Sequence, residues 1–278
     1  MILVLGATGK VGRALVPALL DAGCAVRAVT RDPAKARIDP RADVVQGDLD
    51  QRTELPRLLD GVERAFVLTQ GATPDRERTV AEAAARAGVR HLVKLSTTGV
   101  HFGQNDPITR GHAEAEQAIR EAGPDWTILR PGAFMDNRFA WLRSIHDDGA
   151  VYVPEGDPAS ALVHVRDIAD IAVLALTQPG HEGATYELTG GEALTTERQV
   201  AILAEALGRP LKFVEEPLAA ARERMLSFGW PTAMIDGFFA LKQASADREH
   251  VVFDTVGRLL GRARTFAEWA TENAPKFT

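Results

Sequence analysis

Two groups of residues in this chain have types and spacings that could carry chemistry. In "GATGKVG", Gly6, Gly9 and Gly12 recur every third residue directly after the apolar run "ILVL". In "TRGHAEAEQAIREAG", His112 and Glu116 stand four residues apart, hence one turn apart on one face of a helix. Glycines between a strand and a helix allow a tight turn at Gly6, bare backbone for a ligand at Gly9 and close helix packing at Gly12. The free amides of the helix start, with Thr8, Lys10 and Val11 around them, favour an anion such as a dinucleotide pyrophosphate. A histidine titrates near neutrality and could donate a proton; Glu116 could orient it or accept from a ribose hydroxyl. The plainer alternatives are a glycine-rich turn and an exposed His–Glu pair worth about 0.3 kcal/mol to its helix.

These residues need a scaffold, and the chain spells one out. The runs "MILVLGA", "CAVRAVT", "ADVVQGD", "RAFVLT", "HLVKLST" and "DWTILRP" are flat and apolar, as strands covered on both faces are. Between them run helix-period segments, such as Val11, Ala14, Leu15, Ala18 and Leu19, although Pro17 inside that segment should bend it. Thr73 before Pro74 marks a further helix start. The alternation predicts an α/β fold: a Rossmann-type doubly wound parallel sheet, with a core over residues 1–138. Residues 139–278 read as mainly a small C-terminal substrate lobe interleaved with that sheet. There "VHVRDIADIAVLALTQ" predicts a short strand and a helix capped by Asp167, "ATYELTGG" a strand, and "TTERQVAILAEALG" a helix bounded by threonines and a glycine.

Composition narrows the function. A net charge of −6 with scattered Lys and Arg gives no basic face for nucleic acid, and the single cysteine, Cys24, can form neither an internal disulfide nor a metal site. No secretory leader or membrane-length apolar run is visible, so a cytoplasmic protein without membrane attachment is expected. A small-molecule substrate is the expected partner; monomer and homodimer both stay open. The second strand ends "AVTRDP" rather than in an acidic residue, and Arg31, helped by Lys35, could hold a ribose phosphate. NADP(H) is therefore preferred, with NAD(H) possible; the alternative is a solvated Arg31 and a helix-capping Asp32.

Together "GATGKVG", "VTRDPAKA", "VVQGDLD", "LSTTG", the His112 helix, "WTILRPGAFMDN" and "VHVRDIADIAVLAL" resemble the NmrA-like branch of the atypical short-chain dehydrogenase/reductases, from Met1 to about Gly208. That resemblance implies a Rossmann core and two kinds of member: reductases of quinones, alkenes or imines, and cofactor-sensing regulators without catalysis. It places Asp48 and Leu49 at the adenine, Thr69 and Gln70 beside the ribose and nicotinamide, Ser96 at the sheet rim, and Pro131, Gly132 and Ala133 near the nicotinamide. The usual Tyr-x-x-x-Lys pair is absent, since neither Tyr152 nor Tyr186 is followed four residues later by lysine. That absence weighs against a sugar-nucleotide epimerase and leaves His112, Glu116 and Ser96 as the catalytic candidates. Phe134, Met135, Trp230, Met234 and Phe238 could wall an apolar substrate or simply form lobe core. Their lack of fixed charge argues against a phosphorylated acceptor. The expectation is an NADP(H)-dependent oxidoreductase delivering hydride to a quinone, enone or imine; the alternative is a redox-sensing regulator.

Overall fold

Apolar runs bounded by glycine and charge become strands where helices can cover both of their faces. The computed structural model describes residues 1–69, 73–156, 159–245 and 251–278. In chain order its elements are β1 (Ile2–Val4), α1 (Lys10–Asp21), β2 (Val26–Thr30), β3 (Asp43–Gln46), α2 (Leu55–Leu59), β4 (Arg64–Val67) and α3 (Pro74–Arg86). They continue with β5 (His91–Leu95), α4 (Thr98–His101), α5 (Pro107–Glu121), β6 (Asp125–Pro131), α6 (Leu142–Asp148), β7 (Ala150–Pro154), α7 (Val165–Thr177) and β8 (Ala184–Leu188). The last are α8 (Thr196–Leu207), β9 (Lys212–Glu216), α9 (Leu218–Ser227), α10 (Thr232–Ser245), α11 (Thr255–Leu260) and α12 (Phe266–Asn273).

These elements form two units. Met1–Gln104, Ile108–Gly132 and Val165–Leu188 make the first; Asn105–Pro107, Ala133–His164 and Thr189–Thr278 make the second. All six apolar runs read from the sequence are strands of the first unit, and "ATYEL" adds β8. The seven pair in parallel in the order β3-β2-β1-β4-β5-β6-β8, with Ile2 of β1 opposite both Val26 and Arg64. Successive strands leave β1 on both sides, so the order reverses between β1 and β4. The crevice beyond the carboxyl ends of those two strands is where open α/β sheets take ligands. Leu3 and Leu92 of the sheet, with Leu5 just past β1, share a core with Leu58, Val80 and Ile119 of α2, α3 and α5, while α1 packs on α7. Pro17 lies inside α1 without ending it, because Val11, Leu15, Val16 and Leu19 are buried along its length.

Asp167 is corrected from a cap to the third residue of α7: the helix opens two residues earlier, and the acid complements the dipole from within the first turn. The strand expected around "VHV" reduces to an isolated bridge of Val163 with Phe134. The second unit instead carries a parallel pair that was not anticipated, β7 with β9, registering Ala150 with Lys212. Its core includes Met135, Leu203, Phe266 and Trp269. As the sequence indicates, Thr195 caps α8 by accepting from the Arg198 amide at 3.1 Å, and Gly208 ends it at φ 64°.

At the amino-terminal side of the sheet, His91 is 4% exposed, with Nε2 2.9 Å from Thr127 Oγ1. The Thr127 hydroxyl gives its one proton to the His181 carbonyl at 2.6 Å, so His91 Nε2 is the donor to Thr127. Burial pushes the His91 imidazole below its ordinary value. The unfolded chain therefore binds a proton here as pH falls through about 6.5, and the native state binds it only at lower pH. Stability should then fall by up to about 1.4 kcal/mol per pH unit below that point. Denaturant melts of His91→Gln from pH 8 to 5.5 should lack this component; parallel pH slopes for parent and variant would refute it.

Candidate functional site

The turn after β1 behaves as its glycines require. Gly6 adopts φ 72°, a conformation side chains disfavour, and its carbonyl accepts from the Gly9 amide at 2.9 Å. A Cβ on Gly12 would come within 2.2 Å of the Gly6 carbonyl oxygen, so only glycine lets α1 lie this close to the turn. A Cβ on Gly9 would meet only that oxygen, at 3.2 Å; otherwise the backbone there is bare. No side chain caps α1 through Gly9 and its first turn holds no acid, so its amides are presented without a competing negative charge. This arrangement fits a dinucleotide pyrophosphate. Thr8 and Lys10 are exposed beside it, with the Thr8 carbonyl accepting from Arg13 Nε at 2.8 Å, and Val11 is buried.

The other sequence-predicted cofactor residues lie at or past the carboxyl ends of their strands. Arg31 follows β2 and is exposed; its carbonyl accepts from the Gln46 side chain at 3.2 Å. Asp32 accepts from the Lys35 amide and pairs with Lys35 Nζ at 3.0 Å, so Lys35 is engaged with its neighbour. Asp48 uses its carboxylate to accept from the Asp50 amide at 3.1 Å, closing its own turn, and Leu49 packs on the core. Thr69 is 3% exposed and donates to Glu77 at 2.8 Å. Gln70 lies outside the described residues. Gly132 donates its amide to Leu188 at 2.9 Å beside a buried Pro131, and Ala133 is exposed.

The catalytic candidates do not pair as the sequence suggested. Glu116 is buried completely and engaged elsewhere. Ser96 Oγ donates to it at 2.6 Å, and Arg130 donates through Nε at 2.9 Å and Nη2 at 2.7 Å, with Arg120 at 3.0 Å. Burial alone would raise the Glu116 carboxyl, but the hydrogen bonds from Arg130 and Ser96 outweigh it and hold it below its ordinary value. Glu116 is thus corrected from an orienter of His112 to the anion of an arginine cluster, which Arg130 extends to Glu187.

What faces His112 is Lys94, whose Nζ lies 3.4 Å from His112 Nδ1. Lys94, on β5, and Glu77, on α3, are both fully buried and form an ion pair at 3.0 Å; Lys94 Nζ also donates to the Leu95 carbonyl. The signal for it was a lone lysine in the apolar run "HLVKLS", matched by a glutamate in "DRERTVAEAAA".

The proposed substrate wall is dispersed in burial. Met135 is 2% exposed inside the second unit's core, and Phe134 lies in the bridge to Val163. Met234 is 57% exposed, Trp230 is half-buried between α9 and α10, and Phe238 meets Phe239 edge-on at 5.4 Å. Among the described residues, no cluster could hold a metal and no helix is long and apolar enough to cross a membrane.

Removing the arginine from a buried carboxylate leaves a charge that water cannot reach. Arg130→Met should cost about 3 kcal/mol in urea denaturation at pH 7. Adding Glu116→Gln should recover part of that loss; a cost under about 1 kcal/mol for the single variant would mean that Arg120 and Ser96 suffice.

Comparison with known proteins agrees with this geometry. Residues 6–179 match the model of a family described as NAD(P)H-binding. A (4-alkanoyl-5-oxo-2,5-dihydrofuran-3-yl)methyl phosphate reductase of Streptomyces griseus is 44% identical over all of this chain and 99% of its own. An NAD(P)H azoreductase of Xenophilus azovorans is 38% identical over the same shares. The NADPH complex of an Escherichia coli NADPH-dependent quinone oxidoreductase superposes with a TM-score of 0.85 at 26% identity, covering 98% of this chain and 99% of that one. NmrA, a negative transcriptional regulator, shares the fold at a TM-score of 0.78 and 21% identity. With the glycine turn, the parallel sheet and these matches together, the chain belongs to the NAD(P)H-binding family whose model spans residues 6–179.

Proposed function

We propose that the chain is an NADP(H)-dependent reductase of small, largely apolar acceptors of the quinone, enone or imine class. The observation that carries this reading is the bare glycine turn into α1 at the point where the strand order reverses. The names of three relatives support it. An oxo-dihydrofuran bearing an alkanoyl group, an azo compound and a quinone each offer a conjugated or polarised double bond. One of those names carries a phosphate, so charge elsewhere on the acceptor does not exclude it from this chemistry.

When bound, the dinucleotide supplies the hydride. The amides of α1 hold its pyrophosphate, the Arg31 fork holds the ribose phosphate, and Asp48 and Leu49 border the adenine. His112 gives a proton to the reduced acceptor. Glu116 and Ser96 fix the floor beneath His112 instead of exchanging protons. Trp230, Met234 and Phe238 are apolar side chains of the second unit whose chemistry suits a largely apolar acceptor.

The direct test is NADPH oxidation by the purified protein across a panel of quinones, enones and imines. Tight NADPH binding with no turnover on any of them would replace the enzyme with a cofactor-sensing regulator. Arg31→Ala should weaken NADPH much more than NADH in calorimetry, by about 1.5 to 3 kcal/mol for each charge-assisted bond lost. Equal weakening of both cofactors would remove Arg31 from the site. On an enone or imine, His112→Ala should lower turnover by roughly 10²- to 10⁴-fold with little change in NADPH affinity. A full rate there would end its role as proton donor.

A further inference from the structure

A neutral imidazole is a poor acid by itself, because losing its only N–H proton leaves an anion. The surroundings of His112 supply what it lacks. An ammonium carries three protons and no acceptor. Lys94 Nζ donates to the Leu95 carbonyl, stands 3.0 Å from Glu77 Oε2 as an ion pair, and has His112 Nδ1 at 3.4 Å, at the long end of hydrogen-bonding range. Since Lys94 can only donate, Nδ1 must accept, and the ring proton of His112 sits on Nε2.

We infer that Lys94 is a positioning residue behind His112, fixing the Nε2–H tautomer and replacing at Nδ1 the proton that Nε2 gives away. This rests on the reading of His112 as proton donor. The step balances: the His112 Nε2–H bond breaks as the acceptor's new O–H or N–H bond forms, and a Lys94 Nζ–H bond breaks as the Nδ1–H bond forms. His112 ends as the other neutral tautomer and Lys94 as a neutral amine beside the Glu77 carboxylate. A proton entering from water at Nε2 reverses the shift and resets the pair. Burial pushes the Lys94 ammonium below its ordinary value, against the attraction of Glu77, so its proton is less costly to release than that of an exposed lysine. Glu77 is held in turn by Thr69, so the relay ends on a residue at the carboxyl edge of β4.

The tautomer can be read without turnover. Two-bond ¹H–¹⁵N correlation spectra of the labelled full-length protein at pH 8.5, with His112 identified by its loss in His112→Gln, should show Nε2 protonated and Nδ1 bare. Lys94→Met alone would strand Glu77 as a buried unpaired charge, so the variant of choice is Lys94→Met with Glu77→Gln, which leaves none. In that variant the His112 ring should populate both tautomers. Turnover on an enone or imine should fall roughly 10-fold or more, while NADPH affinity and quinone turnover stay near the parent's, because a reduced quinone can take its proton from water. General structural damage would lower both activities together. An Nδ1–H tautomer in the parent, or an unchanged tautomer in the double variant, overturns the inference and leaves the reductase reading intact. The expected tautomers with a full rate for His112→Ala would instead uphold the Lys94–His112 pairing and end the donor reading.

Discussion

A parallel sheet covered by helices on both faces has no solvent in which to leave a charge, and the candidate site is organised by that constraint. All five residues of β5 are buried, yet one of them is a lysine. Its ammonium can stay there only if another buried group answers it, and Glu77 on α3 does so across the helix–sheet interface. A second buried carboxylate, Glu116, is answered by Arg130 from β6 and by Ser96 beyond β5. Pairs of this kind add little net stability over an apolar filling of the same volume, but losing one member is costly. They therefore tie α3 and α5 to particular places on β5 and β6, and the side chains at the carboxyl edge inherit those places.

The glycine turn obeys a constraint of a different kind, one of space. Gly12 lies so close to the Gly6 carbonyl that the start of α1 is pressed onto the turn, which aims its amides past the end of β1. Electrostatics fixes the sheet's floor and sterics fixes the helix that opens over it. Both act at the same edge because the strand order reverses there.

Most of the first unit could be read from the sequence, since strands buried on both faces write themselves as flat apolar runs and their crossover helices as stripes. The turn was equally plain, because three glycines at fixed spacing after such a run have few other uses. The β7–β9 pair was not legible: "KFVEE" is charged at both ends, and "AVYVP" lies among loops that interrupt the alternation. The partner of His112 was missed for a related reason. Spacing along a helix identifies Glu116 as a neighbour on one face, but it carries no information about whether Lys94 of β5 or Arg130 of β6 reaches the ring. That depends on the competition for Glu116, which Arg130 and Ser96 win with shorter and charge-assisted bonds.

The strand pair of the second unit is made from segments that are not neighbours in the chain. After β7 the polypeptide leaves to build α7 and β8 into the larger sheet, and only then returns to lay β9 beside β7. The small ladder closes one of the longer loops in the molecule, so its hydrogen bonds come late relative to the local turns and helices around them. The second unit therefore has no contiguous stretch of sequence that could be excised with its sheet intact, and during synthesis β7 waits unpaired until the larger sheet has been completed past it.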